Sequence, residues 1–191
     1  MMCPRRGRPE YNGFTVSTST HHVEWHQRLE WTLRSRALVL LLEDDEGVRA
    51  SVIRDLHRRY QQSRDYTPSP VTVLERGTDT AFVRHIAAAV GHTPQRSRYH
   101  LFQEFEAYCG RQYTAGKRVL LLIDDAHYLR LTTMRVLHSL STIVVANDLA
   151  VGMVMVGRGE LVKQMQQKRW RAFESRIGLR MRLPSRETKA A

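Results

Sequence analysis

Apolar residues fall in two rhythms along this chain, short unbroken runs and longer stretches with helical spacing, and the two alternate. The runs ALVLLL at 37–42, RVLLLI at 118–123 and VGMVMV at 151–156 are strand-length and bounded by charged, polar or glycine residues. Such runs predict strands buried on both faces. Two weaker strands are predicted, one at 71–74 behind the turn-like Thr-Pro-Ser-Pro of 67–70, the other an alternating pattern at 178–183. Between them lie helical patterns. At 21–36, Val23, His26, Leu29 and Leu33 share one face, with Trp25 and Trp31 beside it. At 48–60 the inward residues are Val52, Ile53 and Leu56. At 80–90 they are Phe82, Val83, Ile86, Ala89 and Val90, and Gly91 ends the helix. Further helices are predicted at 99–113, 132–146 and 160–175. Strands alternating with helices predict the α/β class, a parallel sheet with both faces covered. Ligands of such sheets gather at the C-terminal strand edge. Here that edge carries Glu43–Gly47, Asp124–Asp125 and Gly157–Arg158.

Length and charge narrow the picture. The chain has 191 residues, enough for one domain with a real core. Residues 1–20 are polar and basic and read as a loose arm, leaving 21–191 as the core domain. Lys and Arg number 30 against 19 Asp and Glu, a surplus of 11. That surplus favours a polyanionic partner, most often nucleic acid, over a merely basic surface. Cys3 and Cys109 give no disulfide framework and no zinc spacing, which fits a reducing cytoplasm. No apolar run reaches membrane-helix length, and the basic N-terminal residues precede no signal-like stretch, so no membrane insertion is expected.

The stretch RVLLLIDDAHY, residues 118–128, carries the sharpest chemistry. A buried strand ending in two carboxylates is the pattern of a Walker B motif. Asp124 would ligate Mg²⁺, and Asp125 would polarise water in place of the usual Glu, with one methylene less reach. The plainer reading is two solvated acids at a strand end. The partner motif, G-x-x-x-x-G-K-[ST], belongs after the first strand. The chain instead reads EDDEGVRAS from Glu43 to Ser51. Aligned by strand end and helix start, Glu43 and Val48 stand where glycines belong and Arg49 where the lysine belongs. Ala50 takes the hydroxyl position, with Ser51 one place late. Gly47, Arg49 and Ser51 are the residues left for a nucleotide. Each carboxylate within ~4 Å of a phosphate would cost about 4 kcal/mol at an effective dielectric of 20. ATP binding by the usual loop is therefore expected to be weak or lost.

Other segments carry weaker candidates. Paired acids after a first strand also suit a response-regulator receiver, but no phosphoacceptor context follows at the required spacing. Arg158 stands where a polar residue could sense a γ-phosphate. Arg176 ends a basic helix, where ring-forming ATPases place an arginine that reaches a neighbour's nucleotide. Lys163, Lys168, Arg169 and Arg171 on that helix are candidate DNA-backbone contacts, or simply a solvated face. His22 and His26 lack the H-E-x-x-H pattern and read as helix packing rather than zinc ligands.

From about Tyr11 to Thr188 the chain resembles the AAA+ ATPases of bacterial transposition, the TniB/TnsC type, and their ExeA/GspA secretion relatives. The resemblance rests on HHVEWHQRLEWTLRSR, RVLLLIDDAHYL, VANDLAVGMVMVGRGEL and FESRIGLRMRLPSRET. It implies a P-loop NTPase (AAA+/ASCE) αβα sandwich with sheet order 5-1-4-3-2. It also implies ATP with Mg²⁺, rings or filaments on DNA, and delivery of target DNA to a transposase. Asp124 and Asp125 match Walker B, Arg158 falls at sensor 1, and Arg176 matches the arginine finger. The loop lacks the Walker A residues, and no helical lid follows the fifth strand. The resulting expectation is a bacterial, cytoplasmic transposition accessory that binds DNA and transposase, with a homo-oligomer as a further expected partner and with little nucleotide turnover. An ATPase with a noncanonical loop and a secretion accessory or non-catalytic binding module stay open.

Overall fold

The computed structural model describes residues 21–91 and 98–183. The arm expected over 1–20 lies outside the described residues. Five parallel strands form the sheet: β1 (Leu38–Leu42), β2 (Tyr66–Thr72), β3 (Arg118–Asp124), β6 (Val151–Gly157) and β7 (Ile177–Arg182). Two further strands, β4 (Val144–Val145) and β5 (Asp148–Leu149), make a small antiparallel hairpin. The sheet order is β2-β3-β6-β1-β7. Numbered by sheet strands alone and read from the other edge, this is 5-1-4-3-2, as expected.

The pleat sorts the apolar runs to two sides. Val39, Leu41, Leu120, Leu122, Val154 and Val156 face α1 (His21–Arg34) and α2 (Glu46–Gln61), packing on Leu29, Leu33, Leu56 and Tyr60. Leu40, Leu121, Ile123, Met153 and Met155 face the other helices: α3 (Asp79–Ala89), α4 (Arg98–Thr114), α5 (Leu131–Ser141), α6 (Glu160–Met165) and α7 (Arg171–Glu174). Unbroken apolar runs are what a strand covered on both faces requires. The result is a three-layer αβα sandwich.

Three sequence expectations need correction. The Thr-Pro-Ser-Pro of 67–70 is not a turn but lies within β2. Among the described residues β2 is an edge strand with β3 as its only neighbour. The Val73 N–H donates to the Asp124 carbonyl, and the Arg118 N–H donates to the Asp65 carbonyl, so odd-numbered residues bond to β3. Pro68 and Pro70 therefore turn their missing donors toward the open edge, where nothing is lost.

The helix expected over 132–146 stops at Ser141, and the β4–β5 hairpin follows. Its turn residues, Ala146 and Asn147, both have positive φ, 48° and 67°. Two such residues suit a tight hairpin turn.

The helix expected over 160–175 is broken. α6 ends at Met165, a 3₁₀ turn spans Lys168–Trp170, and α7 follows. On one continuous helix Trp170 would point roughly 180° away from Leu161, at 100° per residue. The break lets Leu161, Met165, Trp170 and Phe173 all enter the same core.

Candidate functional site

The loop between β1 and α2 has only three residues, Glu43 to Asp45. Each of its carboxylates is engaged by the chain. Glu43 is buried, and its Oε1 accepts the Asp45 N–H at 3.0 Å. Asp45 is the N-cap of α2 and accepts the Val48 N–H at 2.8 Å. Capping explains why α2 starts before Val48. Asp44 Oδ1 accepts the Gly159 N–H at 3.0 Å, and Oδ2 lies 3.1 Å from Arg182 Nη1. The Gly159 bond, with Arg182 behind it, holds the Asp44 carboxyl below the usual carboxylate range. Asp44 thereby ties the β1 tip to the β6 tip and to β7.

Arg49 projects from the first turn of α2 into the sheet edge and is 2% exposed. Its Nη1 donates to the carbonyls of Glu43 (3.2 Å) and Asp44 (2.8 Å). Its Nη2 donates to Asp125 Oδ1 at 3.1 Å. One guanidinium thus joins the β1 loop to the β3 tip. Its planar fork spreads these donors over two nitrogens, so that one side chain reaches acceptors on two separate strand tips.

At the β3 tip, Asp125 adopts the left-handed backbone conformation, φ 53° and ψ 38°. Asp tolerates this because its short side chain hydrogen-bonds locally. Here the Asp125 N–H donates to Asp124 Oδ1 at 2.8 Å. Burial pushes the Asp124 carboxyl above its ordinary value, against the opposing pull of that N–H. His127 is a residue that the sequence reading missed. It is buried, its Nδ1 lies 4.0 Å from Asp125 Oδ1, and its ring tilts against Tyr128. Burial lowers its pKa, so the imidazole stays neutral. The signal was its place two residues after Asp125, on the short 3₁₀ turn Ala126–Tyr128. The β6 tip approaches so closely that a Cβ on Gly157 would meet the His127 nitrogen at 3.0 Å.

The predicted residues divide into four groups. Arg49, Asp124, Asp125 and Arg158 meet at the C-terminal sheet edge. Arg158 is half-buried there, and its Nε has no hydrogen-bond partner. Gly47 is exposed in the first turn of α2, and Ser51 follows one turn on. Arg176 lies at the opposite edge: its carbonyl accepts the N–H of Leu38, which begins β1, and its Nη2 donates to the Ser141 carbonyl at 2.8 Å. Lys163, Lys168, Arg169 and Arg171 are exposed on the outer side of the α6–α7 segment.

This edge does not fit a nucleotide phosphate bound by the usual loop. A phosphate cradle needs free backbone donors and a cation aimed at the ligand. The donors of Asp45, Val48 and Gly159 already hold the chain's own carboxylates. The Arg49 N–H bonds to the Asp45 carbonyl, and its guanidinium faces inward. Among the described residues, no group of three or more His, Cys, Asp or Glu side chains is arranged to hold a metal ion. Nor is any helix among them long and apolar enough to cross a membrane.

A family model described as "AAA domain" matches residues 49–165, which start at Arg49, just behind the acidic loop. No curated protein matches the chain. Solved structures do. The ORC2 protein of Aeropyrum pernix, in its ADPNP-ADP complexes, aligns with a TM-score of 0.64 at 14% identity, over 86% of this chain and 47% of that one. Cdc6p of Pyrobaculum aerophilum aligns with a TM-score of 0.63 at 15% identity, over 89% and 47%. The Aeropyrum pernix ORC1 protein in complex with DNA gives 0.59 at 19%, over 86% and 45%. The chain spans about half the length of these structures, and at such identities the likeness speaks for the fold.

Proposed function

The chain belongs to the AAA domain family, and from that premise we propose that it is a TniB/TnsC-like accessory protein of DNA transposition. It binds DNA and protein partners, a transposase among them, in the bacterial cytoplasm, and its ATP turnover is weak or lost. In this reading residues 21–191 are the AAA+ core and 1–20 a basic arm. The observation that carries it is Arg49, which stands at the position of the phosphate-binding lysine and is bonded instead to Asp125. The structural relatives lend support for the DNA, since one of them is an ORC1 protein in complex with DNA. The segment VANDLAVGMVMVG favours the transposition branch over the secretion branch, and a neighbouring transposase gene would separate the two.

Titration with Mg-ATP tests the nucleotide half of the proposal. A ligand that binds only the folded state raises stability by RT ln(1 + [L]/Kd). At millimolar Mg-ATP no thermal shift is expected. A shift that disappears in Asp124→Ala would overturn the proposal in favour of the second reading, an ATPase with a noncanonical loop. That reading draws on the adjacent acids at the β3 tip, and it requires Arg49 to leave Asp125. A role for Arg176 as an arginine finger likewise requires its release from Ser141.

A further inference from the structure

Charge is unevenly spread over this molecule. From Ala126 to Phe173 the chain has seven Lys or Arg residues and two acids, Asp148 and Glu160. Asp148 accepts from Arg36 through both oxygens. From Ala126 to Asn147 there is no acid at all. α5 lies within this stretch and exposes Thr132, Arg135, Ser139 and Thr142, a stripe at three- and four-residue spacing, with Arg130 exposed at its N-cap. Its other side is buried.

The α6–α7 segment runs beside α5. The Lys168–Trp170 turn packs on α5, and Arg176 grips the carbonyl of Ser141. Trp170 and Phe173 point into the core at 4% and 3% exposure. Anchoring these two rings leaves Lys168, Arg169 and Arg171 outward, with Gln166 and Gln167 exposed before them.

We propose that the outer face of α5 and the 163–171 segment form one binding surface for the phosphate backbone of duplex DNA. Arg130 and Arg135 supply its α5 half. The inference rests on the DNA-binding reading above and gives it a location. The hydroxyls between the cations donate within the chain, Thr132 to Asp79, Ser139 to the Arg135 carbonyl and Thr142 to the Ser139 carbonyl. The phosphate contacts therefore fall to the cations and to the exposed amides of Gln166 and Gln167. Among the described residues the exposed Trp and Tyr side chains, Trp31 and Tyr99, belong to α1 and α4, so the described part of the surface offers no platform for stacking single-stranded bases. The arginines of α2 form a poorer candidate. Arg58 is paired with Asp55 at 3.5 Å, and the same helix begins at the acidic loop.

The test is a salt titration of the full chain on a short duplex. Neutralising six phosphates gives a slope of log K against log salt of about −5. The double variant Arg130→Gln/Arg135→Gln is expected to weaken binding and reduce that slope by about 2. A Lys168→Gln/Arg169→Gln variant should do the same, and Arg54→Gln/Arg58→Gln should match wild type. Wild-type slope and affinity in the α5 variant would overturn the surface alone, as would an equal loss in the α2 control. Absence of duplex binding by the wild type at low salt would overturn both this surface and the DNA-binding reading.

Discussion

Arg49 Nη2 and Asp125 Oδ1 are 3.1 Å apart, and with this contact a side chain of α2 neutralises the tip of β3 from inside the fold. Arg49 is 2% exposed and Asp125 24%. Removing one partner strands the other. Arg49→Ala leaves a partly buried carboxylate without its cation and two carbonyls without donors. It should cost about 3 kcal/mol, read as a lower urea midpoint. Adding Asp125→Asn should recover at least about 1 kcal/mol relative to the summed single losses. Strict additivity would mean that the two side chains do not interact.

Acid and base should act in opposite senses at this edge. Burial raises the Asp124 pKa, so the folded chain keeps this proton to a higher pH than the unfolded chain. Its contribution turns unfavourable as pH rises above the ordinary carboxylate value and stays so at neutrality. Asp124→Asn keeps the acceptor for the Asp125 N–H and should raise Tm at neutral pH. That gain should vanish in acid, where the carboxyl is protonated in both states.

His127 works the other way. Burial lowers its pKa, so the unfolded chain takes up a proton first as pH falls through about 6.5. Stability is lost from there down to the native value. His127→Gln should flatten this part of the stability–pH curve in denaturant titrations. An unchanged slope would place the imidazole in solvent.

The edge strand gives a prediction that hinges on a single residue of register. Pro70→Ala should change stability by no more than about 1 kcal/mol, because its N–H would face the open edge. Ser69→Pro should cost about 3 kcal/mol, because the Ser69 N–H faces β3 and the residue is buried. Chemical denaturation of the pair separates the two cases.

At the opposite edge, Arg118 is buried and donates to the carbonyls of Leu33 (3.0 Å) and Leu149 (2.8 Å). It joins the end of α1 to the β4–β5 hairpin. Arg118→Met should cost about 2–3 kcal/mol, since both bonds are charge-assisted, although the Leu33 carbonyl keeps the Arg36 N–H. Hydrogen exchange should show the hairpin loosening first.

The architecture was legible where one rule governed a whole segment. The runs at 37–42, 118–123 and 151–156 became β1, β3 and β6 because only doubly covered strands carry such patterns. The charge of the acidic loop was legible in the sequence. What the loop does with that charge was not, because the partners of Asp44 are Gly159 and Arg182, more than a hundred residues away. The break after Met165 was equally hidden. It follows from Trp170 needing the same core as Leu161, a constraint that appears only once the sheet is present. Pro68 and Pro70 misled because proline reads as a turn until the strand is known to be an edge.

The Asp45 cap on α2 has a competitive meaning. A phosphate seeking this helix terminus meets a rival anion already attached to the chain. Tethering gives that rival an effective concentration on the order of millimolar or more, and it is delivered in the correct geometry with no translational entropy left to lose. A metabolite, by contrast, comes and goes with the state of the cell. On the proposed reading of weak or lost ATP turnover, the start of α2 carries its own anion, and the shape of this edge is expected not to follow the ratio of ATP to ADP.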